Sequence, residues 1–195
     1  MGKKRILIIS AAATAVVGVA VIVISLNVKT VEVAEGVTCR VVFGKVSDGE
    51  ARRIITVADK KLLAARKYGF ARDAYLLIVE HHYGEWRDEA YLGVARTFLE
   101  QGKVREGYGW LERLAKEYPK GSVVEEGVFD AVVTAELQKL LAKPPLRYRD
   151  AVGFINLLDA VGSAGAPQWR GRLKDIIETP FTVTAEYAHE KGLSY

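Results

Sequence analysis

Three times along this 195-residue chain the same short signal opens a new segment: Arg72-Asp73-Ala74, Arg105-Glu106-Gly107 and Arg149-Asp150-Ala151. Each follows a turn-like stretch and precedes a run with helical periodicity. The first two lie 33 residues apart and the third 44 further on, the excess falling in residues 139–146, which hold the adjacent prolines Pro144 and Pro145. Recurrence at about 33–35 residues is what stacked helix–turn–helix units produce. One such unit cannot bury its apolar face alone, so its neighbours must complete the core.

Helices are expected at roughly 49–67, 71–82, 87–101, 104–117, 123–142, 148–161 and 167–178, with a short one near 183–191. Gly69, Gly84, Gly102 and Gly121 fall between them, as do Pro119, Pro144 and Pro145. The connections are short, so neighbouring helices must run antiparallel. Ser47 with Glu50, and Ser122 with Glu125, have the spacing of a capping box, in which the serine and glutamate satisfy two orphaned N–H groups at a helix start. No strand-rich stretch follows residue 46. Residues 28–46 are rich in Val and broken by Gly36 and Gly44, which fits either a short hairpin turned at Glu35-Gly36 or an extended linker. The expected class is all-α.

The middle unit, residues 88–121, carries the pattern best. Tyr91 takes an aromatic place in its first helix, Val94 and Ala95 a close-packing pair, and Phe98 the next aromatic. Gly102 makes the turn, Gly107, Leu111 and Leu114 face inward from the second helix, and Pro119 ends it. This unit resembles a tetratricopeptide repeat. Upstream, Ala58, Leu62, Ala65, Gly69, Ala74 and Ile78 match, although Lys61 and His81 depart from the pattern; downstream, Val128, Val132, Ala135, Ala151 and Ile155 match around the insertion. The resemblance covers about 50–162 and implies an α-solenoid of about three helix–turn–helix units, with residues 169–178 as a C-terminal cap; the rival is an irregular helical bundle. It further implies a partner-binding groove formed by the first helices. On the middle unit's register that groove shows Leu92, Arg96 and Leu99, to which the neighbouring units add Leu63, Arg66, Phe129 and Val133. Such a mixed basic and apolar lining suits an extended peptide bearing an acid.

Before all this, Ile6 to Leu26 form 21 consecutive positions without a charge. At the helical rise that length spans roughly 30 Å, a bilayer's hydrocarbon thickness. A cleaved signal peptide has a shorter apolar core, of about 7–15 residues, and its small-residue site at the end of the run rather than in the middle, so an uncleaved anchor is expected. Lys3, Lys4 and Arg5 crowd its short flank and place the N-terminus in the cytoplasm. The expected organisation is a basic flank at 1–5, a transmembrane helix at 6–26, a juxtamembrane linker at 27–48 and a helical domain at 49–195. That domain would lie on the periplasmic side of a bacterial-type inner membrane. Within the span, Ser10, Thr14 and Gly18 recur every four residues beside Ala11 and Ala15, a stripe where a second helix can approach closely.

Chemistry is sparse. The formal charge is +4, yet three of the 28 bases sit in the N-terminal flank, leaving 25 against 24 acids, too balanced for a nucleic-acid footprint. His81 and His82 are adjacent and so diverge on a helix, while His189 is remote; the i,i+4 spacing of a zinc pair is absent. His81 is read as a core histidine and His82 as a surface one. No phosphate loop, nucleophile elbow or dinucleotide fingerprint occurs. Cys39 has no partner and reads as a small buried hydrophobe. Trp86, Tyr108 and Trp110 read as core or edge packing, with contact to a partner or the headgroup region as the alternative for Trp86, and the acid pairs Asp88-Glu89 and Glu125-Glu126 as helix starts answering the dipole. Neither an enzyme, a cofactor, a metal nor a small-molecule substrate is expected. The expected role is a membrane-anchored interaction or scaffold subunit, accessory to a larger inner-membrane or envelope complex and with protein partners that include integral membrane subunits. The alternative is a periplasmic chaperone-like factor at the protein export machinery.

Overall fold

A computed structural model describes residues 28–34, 36–142 and 148–178. The basic flank, the apolar run with its small-residue stripe (Ser10, Ala11, Thr14, Ala15, Gly18) and the helix expected near 183–191 lie outside the described residues. Among those described, no helix is long and apolar enough to cross a membrane. The described chain is mostly helical with one small two-stranded sheet.

The Val-rich stretch is a hairpin. Strand β1 (Val28–Ala34) pairs antiparallel with β2 (Val37–Val42), Val28 standing opposite Val42 and Val31 opposite Cys39. Gly36, at φ 72°, occupies the left-handed conformation that lets so short a connection close, and a bulge follows Glu32. The β-branched residues supply one buried face, with Val33, Cys39 and Val41 against the helices. Burial raises the Cys39 thiol to about 11, the nearby Glu50 adding to the effect and Arg53 opposing it. The sulfur therefore behaves as a hydrophobe, as expected.

Helix α1 (Asp48–Val57) begins at Ser47, whose Oγ accepts the Glu50 N–H at 3.4 Å. Only that half of the first capping box forms, because the Glu50 carboxylate turns to Arg53, 2.7 Å away. Arg53 in turn donates to the Thr38 carbonyl and ties α1 to β2. The expected helix 49–67 is not continuous. It passes into a π-helical segment (Ala58–Leu63), and the Lys67 N–H reaches the Leu62 carbonyl five residues back at 2.8 Å. The turn to α2 (Tyr68–His81) is made by Arg66 at φ 57°, and Gly69 lies inside the helix rather than at the turn.

Helices α3 (Trp86–Glu100) and α4 (Val104–Glu117) form the pair read from the middle unit, turning at Gly102 with φ 74°. Tyr91, Val94, Ala95, Leu111 and Leu114 are buried as expected, and Phe98 is half-buried under the Arg72 guanidinium, 5.0 Å from the ring centre. Tyr91 meets Trp110 edge-on at 5.5 Å, and Trp86 lies beneath Arg52. Two glycines permit the close crossings. A Cβ on Gly93 would fall 2.4 Å from the Tyr75 ring of α2, and one on Gly107 would fall 2.5 Å from Leu99.

The second capping box is not one. Gly121 is the N-cap of the short α5 (Ser122–Glu125), and Ser122 Oγ donates instead to Asp88 Oδ2 at 2.9 Å. Asp88, at the start of α3, also accepts the Val123 N–H at 3.3 Å, so the cap comes from a neighbouring helix. A left-handed Gly127 (φ 73°) then separates α5 from α6 (Val128–Ala142), where one helix was expected over 123–142. This break resets the helical phase. Phe129, Val133, Leu137 and Leu140 are buried, whereas Val128 and Ala135 of the expected inward set are exposed.

The chain divides into two compact units inside α6, between Val132 and Val133. In the first, α3 packs against α1, α2, α4 and α5, while the hairpin lies on α1 and α2. In the second, α7 (Tyr148–Ala160) and α8 (Ala166–Glu178) pack together around Ala151, Phe154, Ile155, Leu158, Trp169 and Leu173.

The two histidines exchange the roles expected of them. His82 is 3% exposed and pairs through Nδ1 with the Val46 carbonyl at 3.0 Å, whereas His81 is half-exposed and pairs with the Gly44 carbonyl at 3.0 Å. Together with the Val46 N–H, which donates to the His81 carbonyl at 2.8 Å, they fasten the exit of the hairpin to the end of α2.

Gly93→Ala is expected to cost about 1–3 kcal/mol, because the buried Tyr75 has nowhere to retreat. Gly109→Ala, at a helical position with open space around it, is expected to gain about 0.5–1 kcal/mol. Urea unfolding of the two variants checks both signs. Cys39 is expected to resist a thiol reagent at pH 8 in the folded protein and to react fully once the protein is unfolded in denaturant.

Candidate functional site

Asp59, at the start of the π-helical segment, faces α2 and α3. Its Oδ1 accepts the Tyr75 hydroxyl at 2.7 Å and the Arg96 guanidinium at 3.2 Å. Tyr75 is fully buried, and desolvation with the Asp59 charge raises its hydroxyl far above the ordinary range. The phenol therefore stays protonated and acts as a fixed donor. Asp59 and Arg96 are each 38% exposed, so this ion pair opens to solvent.

Above it lies a cleft of about 140 Å³ between α1 with its π segment and α3, closed by α5 and the first residue of α6. Ile55, Leu92 and Val123 give it apolar walls, and the Gly93 backbone completes the lining. The charged lining is Asp59, Glu89, Glu126 and Arg96. Three carboxylates thus face one guanidinium, which is already engaged by one of them. Burial raises the Glu89 carboxyl above its ordinary 4.5, helped by Asp59, Asp88 and Glu126 and opposed by Arg52. Asp88 Oδ1 accepts the Glu89 N–H at 2.8 Å while its Oδ2 holds Ser122 and Val123, which fixes the start of α3 against the turn that brings in Glu126.

Such a cleft can receive a cationic group between carboxylates over an apolar floor. A nucleophile with its base is not assembled there. Among the described residues, no group of three or more His, Cys, Asp or Glu side chains is arranged to hold a metal ion.

Of the groove residues read from the repeat register, the structure brings Arg96 and Leu92 to this cleft and not the others. Leu92 itself is buried and forms part of the wall. Leu99 turns toward α4 and packs on Gly107, Leu63 is buried, and Arg66 is exposed in the turn before α2. Phe129 and Val133 are fully buried, a consequence of the phase reset at Gly127. These apolar side chains serve the core and offer no surface to a partner. The charge of the lining also differs from the basic one expected, because Asp59, Glu89 and Glu126 outnumber Arg96. The residues that sequence reading missed are Asp59, which lies one helical turn after Ile55 on the same face, and the acids Glu89 and Glu126, which pass for helix-start charges. No family model, curated protein or solved structure matches the chain.

Glu89 holds its proton more tightly in the folded protein than in the unfolded chain. Stability attributable to it therefore falls as pH rises from 4.5 through the raised folded value. Glu89→Gln is expected to raise the melting temperature near pH 7 and to leave it unchanged near pH 4, as thermal unfolding at the two pH values would show. Arg96→Met is expected to cost about 1 kcal/mol or less, since both partners of its ion pair are partly solvated.

Proposed function

We propose that this chain is a membrane-anchored protein-interaction subunit. The apolar run 6–26 is its single span, the N-terminus is cytoplasmic, and the helical region stands on the extracytoplasmic side as an accessory or assembly component of a larger membrane complex. The observation that carries the reading is the cleft beside Arg96. It sits on the face that first helices would present in a tetratricopeptide-like array, and it combines apolar walls with an excess of carboxylates. The close α3–α4 crossing at Ala95 and Gly107, turned at a left-handed Gly102, supports the likeness to such a repeat. The ligand that suits this cleft is a protein segment presenting Lys or Arg beside an apolar residue. That differs from the acidic peptide expected from the register, because Arg96 is already occupied by Asp59.

Purification in mild detergent tests the reading, with the full-length chain beside a form lacking residues 1–28 and partners identified by mass spectrometry. Defined integral-membrane partners that are lost with residues 1–28 would support docking through the span, along the Ser10-Thr14-Gly18 face. Partners kept by the shorter form and lost in Glu89→Lys/Glu126→Lys would support recognition by the cleft. A diffuse set of secreted clients would replace this reading with the chaperone-like one.

A further inference from the structure

A second surface of the first unit, away from the Arg96 cleft, has the shape of a slot. Its volume is about 660 Å³, within the ordinary range of ~300–1,000 Å³ for ligand clefts. One wall is formed by four consecutive residues of β1, from Val31 to Ala34. The slot touches β1 at these four residues and β2 at none, so it lies on the side of β1 away from its partner strand. Among the described residues β1 pairs only with β2, and the edge toward the slot has no strand across it. The other wall is α2. Phe70, Asp73, Leu77 and Glu80 follow one another at helical spacings of three and four, with Leu76 beside them, and so form one stripe along that helix. Phe70 is 49% exposed there, an aromatic ring that the first unit leaves largely uncovered.

The charge of the slot is one-sided. Glu32, Asp73 and Glu80 line it and no Lys or Arg does. Two of these acids have weak local contacts: Glu32 takes the Gly36 N–H at 3.4 Å, and Glu80 lies 4.0 Å from the half-exposed His81 ring. A free strand edge facing a helix stripe of apolar and acidic side chains is a geometry in which an extended peptide adds as a new strand. Backbone pairing then supplies affinity, and the facing stripe selects side chains.

We propose that the slot between β1 and α2 binds an extended, basic segment of a partner protein, which adds to the β1 edge as a third strand. Its apolar residues cover Phe70 and Leu76, and its Lys or Arg residues meet Glu32, Asp73 and Glu80. The stretch 179–195 of this chain is a poorer match in charge, since Glu186 and Glu190 stand against Lys191 alone. This site is distinct from the Arg96 cleft and does not depend on how the chain is anchored.

The test uses the full-length chain in detergent and a fluorescent seven-residue peptide that alternates lysine and valine, followed by anisotropy. The expected result is salt-sensitive binding, weakened about tenfold by Asp73→Lys/Glu80→Lys in a variant whose circular dichroism is unchanged. Methylating alternate peptide nitrogens is expected to abolish binding, and an alternating glutamate–valine peptide is expected not to bind. Equal binding of the two peptides, or indifference to the Asp73/Glu80 pair, would overturn the proposal. Binding that survives N-methylation would remove the strand pairing. Loss of binding in Glu89→Lys/Glu126→Lys instead would put the peptide in the Arg96 cleft and refute the slot while sparing the function proposed above. A rise in affinity on deleting residues 179–195 would show the slot already filled by this chain's own tail, which also overturns it.

Discussion

The phenol of Tyr75 joins three elements at one point. Its ring fills the notch left by Gly93 of α3, its backbone belongs to α2, and its hydroxyl is held by Asp59 of the π-helical segment. Each of these requires the others. Without Gly93 the ring could not enter, and without the hydrogen bond to Asp59 a buried hydroxyl would lose the partner that offsets its desolvation. The same arrangement leaves Asp59 half in solvent, facing Arg96 and the cleft beside it. Tight packing behind the carboxylate and openness in front of it are therefore two sides of one constraint.

The parts of the fold legible from sequence are those in which local signals agree. Tyr91, Ala95, Gly102, Gly107 and Leu111 carry helix period, turn chemistry and close packing together, and α3 with α4 follows the expected bounds to within a residue. Periodicity misleads where the backbone departs from it. The π segment shifts the phase between Ala58 and Leu63, and the turn after it is made by Arg66, a residue type that gives no sign of left-handed geometry. Gly127 does the same between α5 and α6, so inward and outward positions change places. Ser122 illustrates a different limit. Its spacing to Glu125 suggests a local cap, whereas the acceptor comes from Asp88, 34 residues away. Distant partners of this kind leave no periodic trace.

Charge is distributed more unevenly than a near-neutral total suggests. The Arg96 cleft and the slot along β1 each gather three carboxylates, although bases and acids beyond the N-terminal flank are almost equal in number. Four of the arginines lie against aromatic rings: Arg52 on Trp86, Arg72 on Phe98, Arg87 on Tyr83 and Tyr91, and Arg113 on Trp110. A guanidinium laid on a ring keeps its charge but is held there by the ring's negative face. Carboxylates therefore outnumber bases at both surfaces, although Arg96 pairs with Asp59 in the cleft, and salt will weaken whatever they attract.

The hairpin register has a mechanical consequence. Because Val28 stands opposite Val42, the point where the chain enters β1 and the point where it leaves β2 for the helices are at the same end of the sheet. Tension applied between residue 28 and the helices would pull along the cross-strand hydrogen bonds, which lie perpendicular to the strands. The rungs would then open in succession, starting at Val28–Val42, rather than bearing the load together in shear. The mutual Val42–Lys45 bonds and the histidine fastening at Val46 mark where such peeling would meet the helices. What resists such peeling is therefore less the ladder itself than the burial of Val33, Cys39 and Val41 against the helices and the tie from Arg53 to Thr38.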